Sequence, residues 1–379
     1  MIHTLGELMH WLEHGLPAFV FVITVVVFFH ELGHFAMARA FGIGVEAFSI
    51  GFGPAIFSWN DKHGTRWKVS WIPLGGYVKF LGDADAASTP DREAIAAMPA
   101  QQRANIFQMK PLYQRALVVA AGPGANFVLA IMIFAATFLF LGRQIVRPVV
   151  SSVQANSAAA AAGIKPGDVI KSVDGTAIES FSDLQSIVAI SPGRRLTITV
   201  SRNSQSVRLY AVPRLQTEKD RFGNSQKLGV LGIVNKIVPS QVETVHYGVV
   251  GAVGEACSQT WSVVSGTMAY LWRMVAGQEG TSQLTGPVGI AQVSEQVASF
   301  GLLALIQLAA LLSISIGLVN LFPVPMLDGG HLLYYGCEAV MGRPLGVRAQ
   351  DMGFRVGLAV MLALMALATW NDLVRLNLF

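Results

Sequence analysis

The sequence predicts a polytopic α-helical membrane protein of four transmembrane helices, with a membrane-associated β-hairpin or sheet and one extracytoplasmic domain of mixed α/β structure. Three observations predict it. Hydrophobic residues make up 53% of the 379 positions and charged residues 13%, where a globular chain carries about 25% charged residues. Mean hydropathy is +0.50. Four stretches approach the ~20 apolar residues that cross a bilayer, and β-rich runs lie between the second and third of them. A soluble fold has too little interior for that apolar surplus, so the surplus faces lipid. Disorder is excluded by the hydrophobicity, and a disulfide scaffold by the presence of two cysteines only, Cys257 and Cys337. The net charge of +4 calls for no nucleic-acid partner, because basic loops beside membrane spans account for it.

The elements follow in order. An N-terminal segment (1–43) contains the first span, Pro17 to Phe41. Residues 1–16 hold no Lys or Arg, so a cleavable signal peptide is not expected there. Residues 44–82 read as a membrane-associated β region, with VEAFSI, IFSW, RWKVSW and GGYVKF as short strands and Trp67, Val69 and Trp71 alternating on one face. Residues 83–111 form a polar cytoplasmic loop without catalytic features. The second span (112–142) has its apolar core at Ala116–Leu141, and AAGPG (120–124) with Asn126 reads as its opening.

Between spans two and three, residues 148–214 alternate β-rich runs (RLTITVSR, SVRLYAV) with the turns KPGD and VDGT, and Ser180 caps a short helix. Residues 215–301 form an extracytoplasmic linker. Within it, 246–276 is apolar enough to compete as a fifth span, but Glu255, Gln259 and scattered Gly and Ser favour an amphipathic helix at the outer interface. The third span, about Leu302–Leu321, lies in the region 302–335, and the fourth, Phe354–Trp370, in 354–371.

Short loops set the orientation. Lys62, Arg66, Lys68, Lys79, Arg92, Arg103 and Lys110 separate spans one and two, and Arg343 and Arg348 separate spans three and four. Both loops belong in the cytoplasm, which leaves both termini and the 148–214 domain outside. Cys257 and Cys337 then lie on opposite sides and do not pair.

The chemistry lies inside the first span, at His30-Glu31-Leu32-Gly33-His34. Residues i and i+4 share a helix face, so both imidazoles can grip one metal ion. Glu31 sits about 100° around the helix, where it reaches a bound water. Each polar group at that depth costs on the order of 2–3 kcal/mol unless it faces a partner. Catalytic zinc takes a third protein ligand and leaves a position to water. Asp328 is the first candidate, presented by a segment that Pro323 and Pro325 must break, and His331 is its rival. As a lone feature, Asp328 also reads as a helix N-cap. Equal depth of His30 and Asp328 requires spans one and three to run in the same direction, which four spans deliver and five do not. His10, Glu13 and His14 fit the inverted motif HxxEH but have no third ligand, and read as an interfacial helix.

These residues carry a resemblance. HELGH (30–34), GFGP (51–54), PLGGYVK (73–79), AAGPGAN (120–126), GPVGIA (286–291) and NLFPVPMLDGG (320–330) are similar to the motifs of the site-2 proteases, and among them to the bacterial regulator-of-sigma-E protease group. The run SAAAAAGIKPGDVI resembles a PDZ domain of the bacterial protease type. The resemblance implies an intramembrane zinc metalloendopeptidase with Zn2+ held by His30, His34 and Asp328. Glu31 is then the catalytic glutamate, and Asn320, Pro323, Pro325, Gly75, Gly76 and Tyr77 contact the substrate. It also implies a bacterial inner-membrane location and single-pass membrane substrates such as anti-sigma factors, cut first by another protease, or remnant signal peptides. One PDZ domain is found where the enteric form has two. Its groove either holds a peptide C-terminus or excludes bulky ectodomains.

Two other functions compete. A metal transporter also needs intramembrane His and Asp, but predicts several sites and a repeat. An inactive adaptor acting through its PDZ domain predicts loss of Glu31 or of a ligand, and none is lost. A substrate helix hides its peptide bonds and must unwind before attack. An edge of the 44–80 hairpin is a candidate to receive the unwound segment as an added strand, or else packs on the membrane surface.

Overall fold

A computed structural model describes residues 13, 15–84, 95, 97–219, 225–235, 242–277, 280–281 and 284–375. The HxxEH segment, apart from Glu13, lies outside them. The Cα positions divide the chain into two units: Met1–Ala135 with Val253–Thr267 and Leu284–Phe379, and Ala136–Ala252 with Met268–Gln283.

The first unit holds most of the membrane helices. Helix α1 (Leu16–Ala40) starts with a proline in its first turn, where a missing N–H removes no helical bond. Helix α2 (Leu112–Phe140) contains Pro123. It begins well before AAGPG, which therefore lies inside the span and does not open it; inside a membrane, neighbouring helices re-satisfy the backbone groups that a proline frees. Four described helices are long and apolar enough to cross a membrane: α1, α2, and those over Leu302–Asn320 and Arg348–Val374.

The β region is more folded than a hairpin. Strands β1 (Val45–Asn60) and β2 (Arg66–Phe80) are both long and bent. Residues 47–50 of β1 pair with 76–79 on one side and with 66–69 on the other, and 66–69 pair in turn with 57–60. Four strand segments thus lie side by side, with 76–80 and 55–60 at the edges. The bends fall at GFGP and PLGG, where Gly51 (φ 87°) and Gly75 (φ 138°) adopt backbone that side chains disfavour. Phe48 is fully buried, stacked on Trp67 at 4.4 Å, while Phe57, Trp71 and Ile72 are exposed.

The second unit contains strands β3 (Arg143–Val146) and β4 (Ser152–Val153), and then a four-stranded antiparallel sheet. Its strands are β5 (Val169–Val173), β6 (Thr176–Ala177), β7 (Leu196–Arg202) and β8 (Gln205–Ala211), in the order β6-β5-β7-β8. Helix α3 (Phe181–Ala189) lies between β6 and β7 in the chain, and a reciprocal capping box joins Ser180 and Asp183 at its start. Alternate residues of β7 (Leu196, Ile198, Val200) meet Leu184 and Val188 of the helix in one core. Asp168 is buried in the KPGD turn, and the Arg202 guanidinium, bonded to both its oxygens, holds its carboxyl below the usual carboxylate range.

Helix α4 (Val249–Val275) is one continuous helix of 27 residues. Val250, Val253, Cys257, Trp261, Met268, Trp272 and Val275 form an exposed stripe at helical spacing, while Ala252, Ala256 and Thr260 are buried. It is not among the helices apolar enough to cross a membrane. Both cysteines are free.

The first unit ends with α5 (Pro287–Ala298), α6 (Leu302–Asn320), α7 (Asp328–Met341) and α8 (Val347–Arg375). Two anchors tie these helices together. The buried Asp372 carboxylate accepts from the backbone N–H groups of Gly286 and Gly289 at the start of α5, at 3.1 and 2.9 Å. Arg115 of α2 forms a bidentate pair with Glu338 of α7, at 2.5 and 3.2 Å.

Candidate metal centre

The helix period puts His30 and His34 on one face of α1, and their ring centroids are 4.8 Å apart. Asp328 arrives from the other side. Pro323 and Pro325 interrupt the chain between α6 and α7, Met326 takes a left-handed φ of 102°, and Asp328 becomes the first residue of α7. Leu327, not Asp328, holds the N-cap position. The Asp328 carboxylate therefore turns to the imidazoles.

Close approach of small residues holds this loop. A Cβ on Gly329 would lie 2.2 Å from Phe322 O, and one on Gly357 of α8 would lie 1.7 Å from Pro325 O. Gly353 and Gly357 form a small-xxx-small pair that lets α8 lie against the broken segment. The α1–α2 contact is built the same way, with Gly33 against Ala121 O and Gly122 against the His34 ring.

Three ligand atoms converge. His30 Nε2 lies 3.3 Å from His34 Nε2, and Asp328 Oδ2 lies 3.2 and 3.5 Å from the two. Ligands at 2.0–2.1 Å from a tetrahedral ion stand about 3.3–3.4 Å apart, so the spacing fits zinc. Asp328 Oδ2 is buried without a well-formed hydrogen bond, an oxygen that a cation would satisfy. His34 Nδ1 faces the Val118 carbonyl at 2.9 Å, so it carries the proton and Nε2 keeps its lone pair. Two nitrogens and one carboxylate match a catalytic zinc set that leaves a position open. This is the one group of its kind among the described residues, and His331 is not in it.

Glu31 stands beside the cluster. The backbone of Val78 in β2 lies near its carboxylate, and Gly76 is so close that a Cβ there would be 3.2 Å from Glu31 Cγ. The outer side of the 76–80 edge thus borders the site. Gly75 and Tyr77 belong to the same stretch, and the Tyr77 ring stacks on Phe52 at 6.2 Å. Asn320 ends α6, with Pro323 and Pro325 in the loop that follows. Sequence reasoning missed Val118 O, Gly122 and Gly357. A backbone carbonyl leaves no trace in sequence, whereas the Gly353–Gly357 spacing was a readable sign.

The chain is similar to known proteins over most of its length. Peptidase family M50 matches residues 18–364. A chain of Agrobacterium fabrum, named provisionally as a zinc metalloprotease, is 48% identical over 355 residues, covering 94% of each chain. Metalloprotease MmpA of Caulobacter vibrioides is 41% identical over 386 residues, covering 96% of each. Regulator of sigma-E protease RseP of Salmonella typhimurium is 30% identical over 459 residues, covering 96% of this chain and 99% of that one. With a family match across nearly the whole chain and four helices fit to cross a membrane, the donor set at His30, His34 and Asp328 finds its explanation: the chain is a membrane zinc metalloprotease and belongs to peptidase family M50, the site-2 proteases.

Proposed function

We propose that the protein cuts single-pass membrane proteins within their membrane spans, with His30, His34 and Asp328 as zinc ligands and Glu31 as general base and acid. The convergence of three ligand atoms at 3.2–3.5 Å, with Glu31 next to His30 on the same helix, carries the reading. Zinc held by these three side chains would supply Lewis acidity and make water a better nucleophile near neutral pH. The Glu31 carboxylate takes a proton from the attacking water and returns it to the leaving amine nitrogen.

Substrates are anti-sigma-factor-like regulators already shortened by another protease, and remnant signal peptides. In a bacterial inner membrane both termini and the second unit lie outside the cytoplasm, and the site lies toward the cytoplasmic side, as the basic short loops favour. The exposed stripe of α4, with Trp261 and Trp272, rests on the outer lipid interface. The four-stranded sheet with its capped helix is a PDZ domain. A cavity of about 890 Å³ in this unit, lined by Ala162, Tyr210, Pro213, Arg214 and Leu215 among others, suits a peptide C-terminus, with the arginine near its carboxylate.

The full chain reconstituted in liposomes with a single-pass substrate tests the reading. Cleavage is expected inside the span, lost on chelation and restored by zinc. Products cut outside the span, or cleavage that survives chelation, would overturn it.

Asn320, Pro323, Pro325, Gly75, Gly76 and Tyr77 receive the unwound substrate, with the 76–80 edge accepting it as an added strand. Strand pairing uses every second residue. A synthetic substrate N-methylated at one of two neighbouring positions before the cut should therefore lose cleavage in one phase and keep it in the other. Equal cleavage of both peptides and the unmethylated parent would sink the pairing.

A further inference from the structure

The two histidines differ in what holds their outer nitrogens. His34 Nδ1 faces a carbonyl, which can only accept. His30 Nδ1 lies 3.3 Å from the side-chain amide nitrogen of Asn126, and an amide nitrogen only donates. In that orientation the His30 proton sits on Nε2, which then has no lone pair for a metal. Amide nitrogen and oxygen are told apart only by their partners. Asn126 Oδ1 is buried and has no partner among the described residues. Either orientation leaves one half of the amide without one, so the histidine decides between them. Turning the amide places Oδ1 against His30 Nδ1–H and gives His30 the tautomer that His34 already has.

The residue is held firmly enough to act this way. Asn126 is fully buried, Ser313 Oγ donates to its backbone carbonyl at 2.9 Å, and a Cβ on Gly317 would lie 3.1 Å from its Cβ. Helix α6 therefore fixes the backbone while the side chain reaches α1. We propose that Asn126 is a positioning residue of the metal centre: its amide oxygen accepts from His30 Nδ1–H and reserves Nε2 for zinc. A ligand histidine whose outer N–H is bound in this way is oriented and made more basic. The inference rests on the assignment of His30, His34 and Asp328 as zinc ligands.

The test uses the full chain in detergent, with zinc affinity measured by chelator competition and cobalt substitution read by its absorption spectrum. Asn126→Leu keeps the size and removes the acceptor. It should weaken zinc about 10–100-fold and change the cobalt spectrum. Asn126→Asp can accept but not donate, and should restore wild-type affinity and spectrum. A leucine variant that binds zinc like wild type overturns the proposal, as does an aspartate variant as weak as leucine, since that assigns the role to the amide nitrogen or to packing. Asp328→Ala separates the two layers: full zinc affinity in that variant rejects the ligand assignment itself.

Discussion

Glu31→Gln is expected to keep zinc and to lose cleavage by about 10²–10⁴-fold, the range that a positioned general base supplies. Glutamine has the shape of glutamate and keeps an oxygen that can accept a hydrogen bond. It cannot take a proton from water. The three ligand atoms belong to other residues, so metal content should be unchanged. Zinc content and cleavage of a membrane substrate, measured on the same preparation, check the prediction. Cleavage near the wild-type rate would remove Glu31 from the chemistry. Loss of zinc together with cleavage would make it a structural support.

Gly122→Ala should weaken zinc binding by about 100-fold, the upper end of the range for loss of an orienting contact. A Cβ at Gly122 would stand 2.2 Å from His34 Nε2 and 2.4 Å from Cε1. The imidazole must swing away or the helices must part. Gly124, two residues on, meets nothing within 4 Å, so Gly124→Ala is the control, expected to bind zinc normally and to gain slightly in helix propensity. Equal zinc content in the two variants would show that α1 and α2 have room to move apart.

These two residues mark how far sequence reaches. The HELGH face is legible because helical period is local: once a span is helical, His30 and His34 must share a face. Gly122 is legible only as a small residue in an apolar helix. That it lies against Nε2 of His34 depends on how α1 and α2 pack, which no local pattern encodes. The AAGPG stretch was misplaced for the same reason. Proline and glycine suggest a helix start in water, but inside a span neighbouring helices keep such a segment helical. The β region shows the converse. Its strands were visible as alternating apolar residues, yet the bends at GFGP and PLGG fold them into four adjacent segments and turn the 76–80 edge toward Glu31.

Four stretches apolar enough to cross a membrane, and a titratable triplet inside the first, can be read along the chain. Apolar length and helical spacing are properties of neighbours along the chain. Which side chain meets the imidazoles depends on packing. Asp328 and not His331 does so because two prolines break the chain, Met326 turns it, and the glycines of α7 and α8 allow backbones to touch there. The same holds for Val78, Val118 and Asn126, which reach the site across 47, 84 and 96 residues of sequence from Glu31, His34 and His30. Contacts at that separation are made by packing.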